Sequence, residues 1–218
     1  MQDRKITEIV GTEVSENSRL VEDHSELLSI ISNLRSEGYS IGYTVGVWDM
    51  HHIGHARYLQ KGKECTANFQ NKPAILIVGI DSDEFTKSRK GPTRPIVPYE
   101  ERWEMLAYNR SVNIITILNS SEEGNTLLHE MRPDVMILSY SSTKNDFKGY
   151  EKRMHEKYDP HCGKLEILVR QAVTSTSARI SQIIIDGAKV LTEKMELVCE
   201  MLRETVASFS TSVKGDAE

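Results

Sequence analysis

The stretch "PAILIVGI", Pro73 to Ile80, is a short run of almost purely apolar residues. A strand with one wet face alternates polar and apolar positions. A run without alternation suits a strand covered on both sides, as in a parallel sheet. Four further runs share this character: "SIGYTVGVW" (Ser40–Trp48), "VNIITILN" (Val112–Asn119), "PDVMILS" (Pro133–Ser139) and "KLEILVR" (Lys164–Arg170). Helical stretches separate them: "GHARYLQKGKECTANF" (Gly54–Phe69), "PYEERWEMLAYNRS" (Pro98–Ser111), "EEGNTLLHEMR" (Glu122–Arg132) and "FKGYEKRMHEKYD" (Phe147–Asp159). Strands alternating with helices at this spacing predict βαβ units with right-handed crossovers.

The expected fold is therefore α/β: a Rossmann-like, open, parallel five-stranded sheet with helices on both faces. Helical extensions flank it. Ser18–Arg35 carries an apolar stripe and is followed by Gly38, a natural stop. Ser175–Phe209 has helical patterning, with a break expected at Gly187. The expected division is residues 1–40 as an N-terminal extension, 41–186 as the main domain and 187–218 as a C-terminal helix with a loose tail. "DSDEFTKSRKGPTRPIV" (Asp81–Val97) is expected to be a charged loop.

Composition narrows the class of partner. The net charge is -5 over 218 residues, so no bulk attraction to nucleic acid is expected, and an anion site must be a local cluster. Cys65, Cys162 and Cys199 are odd in number and scattered, which suits free thiols in a reducing compartment. There is no signal-peptide segment and no run of apolar residues long enough for a membrane span. A cytoplasmic protein without membrane contact is expected.

An open parallel sheet binds ligands at the carboxyl ends of its strands. After the first strand comes "GVWDMHHIGH" (Gly46–His55), which holds three of the seven histidines. Gly46 permits close backbone approach, and Gly54 and His55 open a helix whose free N–H groups favour an anion. His52 and His55 are three apart, so both imidazoles can face one bound group. A capping role, a satisfied core position or a metal pair would also use such residues, but no Cys or Glu at matching spacing completes a metal set. His51 is expected to be an exposed bystander. After the second strand, Lys87, Arg89, Lys90 and Arg94 crowd into the charged loop, as in a phosphate clamp or as a solvated charge run. Arg102 lies in the first turns of a helix, where the dipole disfavours a cation. After the fifth strand, Arg170 precedes Thr174, Ser175, Thr176 and Ser177. Capping needs one hydroxyl, and four in a row at a helix start suit phosphate oxygens.

Two of these segments carry a resemblance. "GVWDMHHIGH" resembles the G-x-F-D-x-x-H-x-G-H signature of the cytidylyltransferase-like nucleotidyltransferases, with Trp48 for Phe. "STSARI" (Ser175–Ile180) resembles their I-S-T-T-x-I signature. The stretch Asp81–Leu106 is most similar to the adenylyltransferase domain of ADP-heptose synthases, and next to glycerol-3-phosphate cytidylyltransferases. The resemblance covers about Tyr43 to Ile185. It implies that a phosphorylated small-molecule acceptor (a sugar, polyol or alcohol phosphate) attacks the α-phosphate of CTP or ATP and releases pyrophosphate. It puts Gly46, Val47, Trp48, Asp49 and Gly54 in the nucleotide-binding turn, with His52 and His55 on the triphosphate. Lys87 and Lys90 would neutralise phosphates from a flexible loop, and Arg102 would contact the nucleotide or a phosphate. Arg170, Ser175, Thr176 and Ser177 would hold the β- and γ-phosphates. Arg94 is a candidate acceptor contact. Mg²⁺ is expected on the triphosphate, without direct protein ligands. Asp49 would support the turn or help hold the metal indirectly. The fourth strand departs from the pattern: Ser139, Tyr140 and Ser141 stand where relatives have a K-G-G-D-Y-like segment. That departure keeps open a nucleotide sensor without turnover. The apolar stripe from Ile183 to Leu202 suggests a homodimer.

Overall fold

In a computed structural model, the structure describes residues 19–140, 147–172 and 176–215, without the side chains of 176–177 and 207–215. The chain divides into two compact units, residues 1–173 and 174–218. The first holds five parallel strands in the order β3-β2-β1-β4-β5: β1 (Ser40–Gly46), β2 (Ala74–Asp81), β3 (Ile114–Leu118), β4 (Val135–Ser139) and β5 (Lys164–Leu168). Its helices are α1 (His24–Ser36), α2 (Ile53–Gln70), α3 (Asp83–Lys90), α4 (Tyr99–Ala107), α5 (Ser121–Met131) and α6 (Phe147–Tyr158). The described residues of the second unit form one helix, α7 (Thr176–Gly215). No described helix is long and apolar enough to cross a membrane.

The expected Rossmann-like sheet is present, and strand β2 shows why its sequence lacks alternation. Ile75 and Ile77 enter one core with Leu27, Ile31 and Leu34 of α1 and Leu127 and Leu128 of α5. Leu76, Val78 and Ile80 enter a second core with Tyr58 and Leu59 of α2 and Leu106 of α4. Every one of these side chains is buried. Each fully buried Leu or Ile contributes about 1.5–3 kcal/mol, so the two faces together hold the sheet.

Three expectations need correction. First, α1 begins at His24, not Ser18. Asp23 caps it by accepting the Glu26 N–H at 2.9 Å. Leu20 and Val21 instead lie alongside β3, with Val21 N donating to Ile115 O at 2.9 Å, which covers an otherwise open sheet edge. Second, the first half of the expected charged loop is helix α3. Ser82 caps it, Asp83 and Glu84 fill its first turn, and Lys87, Arg89 and Lys90 fill its last. The charges complement the helix dipole at both ends, and a cluster that looks like loop composition is also a well-ordered helix sequence. Third, α7 runs through Gly187 without a break. One glycine costs a helix about 1 kcal/mol relative to Ala, which forty residues of helix absorb.

The sheet order places a topological switch between β1 and β4. Strand β1 pairs along its whole length with β2. With β4 it pairs only through Gly42–Val135 and Tyr43–Met136. Beyond that point Tyr58 of α2 bridges the parting strands, its hydroxyl 2.8 Å from Thr44 Oγ1 and donating to Ile137 O at 3.0 Å. The crevice above this bridge is where an open parallel sheet receives a ligand.

Candidate active site

The turn leaving β1 has an unusual backbone. Trp48 (φ 58°) and Met50 (φ 48°) both lie in the left-handed region, which costs non-glycine residues about 1–3 kcal/mol and persists only where surroundings enforce it. The enforcing contacts are visible. Trp48 Nε1 donates to Gly79 O at 3.1 Å. Asp49, 3% exposed, accepts from the Ile96 and Val97 N–H groups, each at 3.0 Å, and pairs with Arg94 at 2.7 Å. Its carboxylate thus ties the first turn to the segment before α4. Of the two roles open to Asp49, turn support has the contacts behind it. Arg94 faces Asp49 rather than standing ready in solvent. Gly46 lets the Trp48 indole pack closely, since a Cβ there would lie 3.3 Å from it.

His52 is the N-cap of α2. Its Nδ1 accepts the Gly54 N–H at 3.0 Å, so the ring proton of the neutral form sits on Nε2. His55 stacks on it, ring centroids 4.0 Å apart and planes 22° from parallel. Trp48 meets His55 edge-on at 5.6 Å, and the His51 ring centroid lies 5.2 Å from that of His55. His51 is therefore no exposed bystander: it is half-buried, and its ring lies tilted by 38° against His55. Both signature histidines are brought together as expected, at the β1 end of the switch crevice.

Gly54 has its own reason. A Cβ at that position would lie 2.7 Å from His52 Cε1 and 2.9 Å from its Nδ1. Gly54→Ala is expected to unseat the His52 ring, lowering turnover about tenfold or more through misplacement alone, while the thermal midpoint moves by only a few degrees. Unchanged turnover in a steady-state assay would show that the His52 seat does not matter.

The electrostatics follow from crowding. The His55 pKa is pushed down to about 3, first by burial, then by His52 and His51, with Asp49 opposing and Lys90 adding to the depression. His51 is lowered as well, by burial and by His52. His55 is thus neutral at pH 7 and acts as a hydrogen-bond partner rather than a resident cation. The unfolded chain takes up a proton on His55 near its ordinary pKa of 6.5, and the folded chain does not until about pH 3. Stability from this group is complete above about pH 6.5 and is lost as the pH falls toward 3. His55→Asn is expected to flatten part of the decline in urea midpoint between pH 7 and 4.5. Identical slopes for variant and wild type would contradict the burial of this ring.

Arg102, in the first turns of α4, points into the protein. It is 1% exposed. One guanidinium nitrogen donates to Val47 O, and the other to Asp81 O at 2.9 Å and Asp83 Oδ1 at 2.7 Å. It ties the ends of β1 and β2 and the start of α3 to α4. Three converging oxygens outweigh the unfavourable position at a helix start, since charge-assisted hydrogen bonds are about twice as strong as neutral ones. Sequence alone missed Asp81 and Asp83 as its partners. The available signal was Asp83, an acidic residue at the start of one helix upstream of an Arg in the first turns of the next.

Lys87 and Lys90 lie on α3, not on a flexible loop, and both are exposed. Lys87 pairs with Glu84 at 3.4 Å. The Lys90 pKa is lowered, first by desolvation and then by Arg94. Arg170 is exposed just after β5. Ser175 and Ser141 lie outside the described residues, as do the side chains of Thr176 and Ser177. On the β4 side of the crevice, Tyr140 meets Phe147 at 4.7 Å and Tyr150 at 5.3 Å, both edge-on. Tyr150 donates weakly to Ser139 O at 3.4 Å. The departure in the fourth-strand segment is thus an aromatic wall.

The "Bifunctional protein HldE" of Nitratiruptor sp. is 33% identical over 131 residues, covering 60% of this chain and 26% of that protein. The protein of the same name from Geobacter sulfurreducens is 27% identical over 180 residues, covering 81% of this chain and 34% of its own length. The chain thus spans only about a quarter to a third of these curated relatives. A solved lipopolysaccharide core biosynthesis protein from Thermoplasma volcanium aligns with a TM-score of 0.45 and 19% identity, over 60% of this chain and 97% of that one. The family model described as cytidylyltransferase-like matches residues 43–185, well over half of the sequence and the whole span from β1 to the start of α7, and the chain belongs to that family of nucleotidyltransferases.

Proposed function

We propose that the chain transfers a nucleoside monophosphate from CTP or ATP to a phosphorylated small-molecule acceptor, a sugar, polyol or alcohol phosphate, and releases pyrophosphate. An oxygen of the acceptor phosphate forms a bond to the α-phosphorus. The bond from that phosphorus to the bridging oxygen breaks, and pyrophosphate leaves with the electron pair. The protein's work is positioning and stabilisation of charge on the phosphoryl oxygens. The triphosphate arrives with Mg²⁺ as part of the substrate.

The observation that carries this reading is the seat of His52 and His55: two stacked imidazoles at the helix start above the switch crevice, one with its tautomer set by the Gly54 N–H. Their ring N–H groups are available as donors at the start of α2, where the helix dipole favours an anion. Lys87, Lys90 and Arg170 are assigned to the phosphates, as are Ser175, Thr176 and Ser177. Val47, Trp48 and Asp49 shape the turn, and Arg94 and Arg102 hold it. The aromatic group of Tyr140, Phe147 and Tyr150 makes the wall that meets the base or the acceptor.

Pyrophosphate release tests the reading, with CTP or ATP, Mg²⁺ and a panel of sugar and polyol phosphates. Release with one pair, dependent on both substrates, is expected. Nucleotide binding without release from any pair would favour the sensor reading that the altered fourth-strand segment allows.

A further inference from the structure

The second unit presents a surface that the proposed chemistry does not use. Helix α7 is forty residues long, about 60 Å at 1.5 Å per residue. Along it, Ile184, Leu191 and Val198 recur every seven residues, and so do Ala188, Met195 and Leu202. Together they alternate at spacings of four and three. This is the a/d seam of a coiled coil, with Ala188, Met195 and Leu202 at a and Ile184, Leu191 and Val198 at d. The large members are between 54% and 64% exposed. A strict seven-residue period is matched to another helix supercoiling about the first, because a straight helix drifts off such a seam by about 20° per heptad.

The charges indicate what covers it. Between Ile184 and Leu202 the seam carries no charge. The polar residues Asp186, Lys189, Glu193, Glu196 and Glu200 occupy the outward b and f positions. Of the flanking e and g positions in that span only Lys194 is charged. A partner of different sequence would be selected through charges at e and g, and this helix offers almost none. In a parallel pair of identical helices, Lys194 at g stands opposite Cys199 at e of the other copy, so no like charges meet. An antiparallel pair centred on the seam would bring the two Lys194 side chains together. We propose that α7 pairs with α7 of a second copy of this chain in a parallel two-stranded coiled coil through this seam.

The test uses the full chain. Light scattering at about 20 μM, above the micromolar range typical of modest association, is expected to return twice the chain mass of 24.7 kDa. Leu191→Lys with Val198→Lys is expected to return the single mass, and Glu193→Lys, at an outward position, the doubled one. Both tryptophans, Trp48 and Trp103, lie in the first unit, so an unchanged tryptophan emission spectrum shows that the double variant leaves that unit folded. In a Cys199→Ser background, Val198→Cys is expected to oxidise to a linked dimer and Glu200→Cys is not. A monomeric wild type overturns the proposal. So does a trimer or larger assembly, for which the additional apolar residues Ile183, Val190 and Leu197 would then be responsible. A dimer that survives the double lysine variant places the interface elsewhere and overturns it too, as does equal cross-linking at 198 and 200.

Discussion

His55→Ala is expected to lower kcat by about 10²- to 10³-fold, the loss found when one preorganised donor to a developing oxyanion is removed. The reasoning starts from the ring's surroundings. His55 is held between His52, His51 and the edge of Trp48, so its position is fixed before any ligand arrives. Its pKa near 3 keeps it neutral at working pH, and an incoming polyphosphate meets an N–H dipole that needs no reorganisation. The fold should survive the change. His55 is only half-buried, and its Nδ1 has no hydrogen-bond partner, so removing it deletes an unsatisfied polar atom along with the ring. The expected signature is a large fall in kcat with a thermal midpoint within a few degrees of wild type. A kcat within threefold of wild type would remove His55 from the chemistry.

Arg102→Met is expected to produce the largest loss of stability, about 3–5 kcal/mol, which is the usual cost of deleting one partner of a buried, hydrogen-bonded charge. The substitution keeps the aliphatic bulk but strips the donors from Val47 O, Asp81 O and Asp83. Val47 immediately precedes Trp48, whose left-handed backbone depends on being held. The turn should therefore loosen as well, so that turnover falls even where the protein is fully folded. Urea unfolding checks the first expectation, and kcat at low temperature the second. A loss under about 1 kcal/mol would mean that the guanidinium network is easily replaced by water.

Much of this molecule is legible in its sequence, for identifiable reasons. The five strands are plain because a doubly covered strand is a continuous apolar run, as Ile75 to Ile80 shows. The site edge is plain because ligands of such sheets lie after the strands, and "GVWDMHHIGH" falls there. What was not legible depends on tertiary partners. Asp83–Lys90 has the composition of a charged loop, and only the order of its charges, acidic first and basic last, marks a helix. Arg102 looks like a surface cation with a mild dipole penalty until the two carbonyls and Asp83 converge on it. His51 looks like a spectator because its contact with His55 depends on the left-handed turn at Trp48 and Met50. Asp49 left two roles open, and the Ile96 and Val97 amides, some fifty residues away, favour one of them.

The central claim is that His52 and His55 together receive the triphosphate. Long-range ¹H–¹⁵N spectra of the imidazole nitrogens, recorded while CTP or ATP with Mg²⁺ is added to the full chain, test it most directly. Saturable shifts of the Nε2 resonances of both His52 and His55, with His129, His155 and His161 unmoved, are the predicted result. Nucleotide binding that leaves both signature imidazoles unperturbed would contradict it.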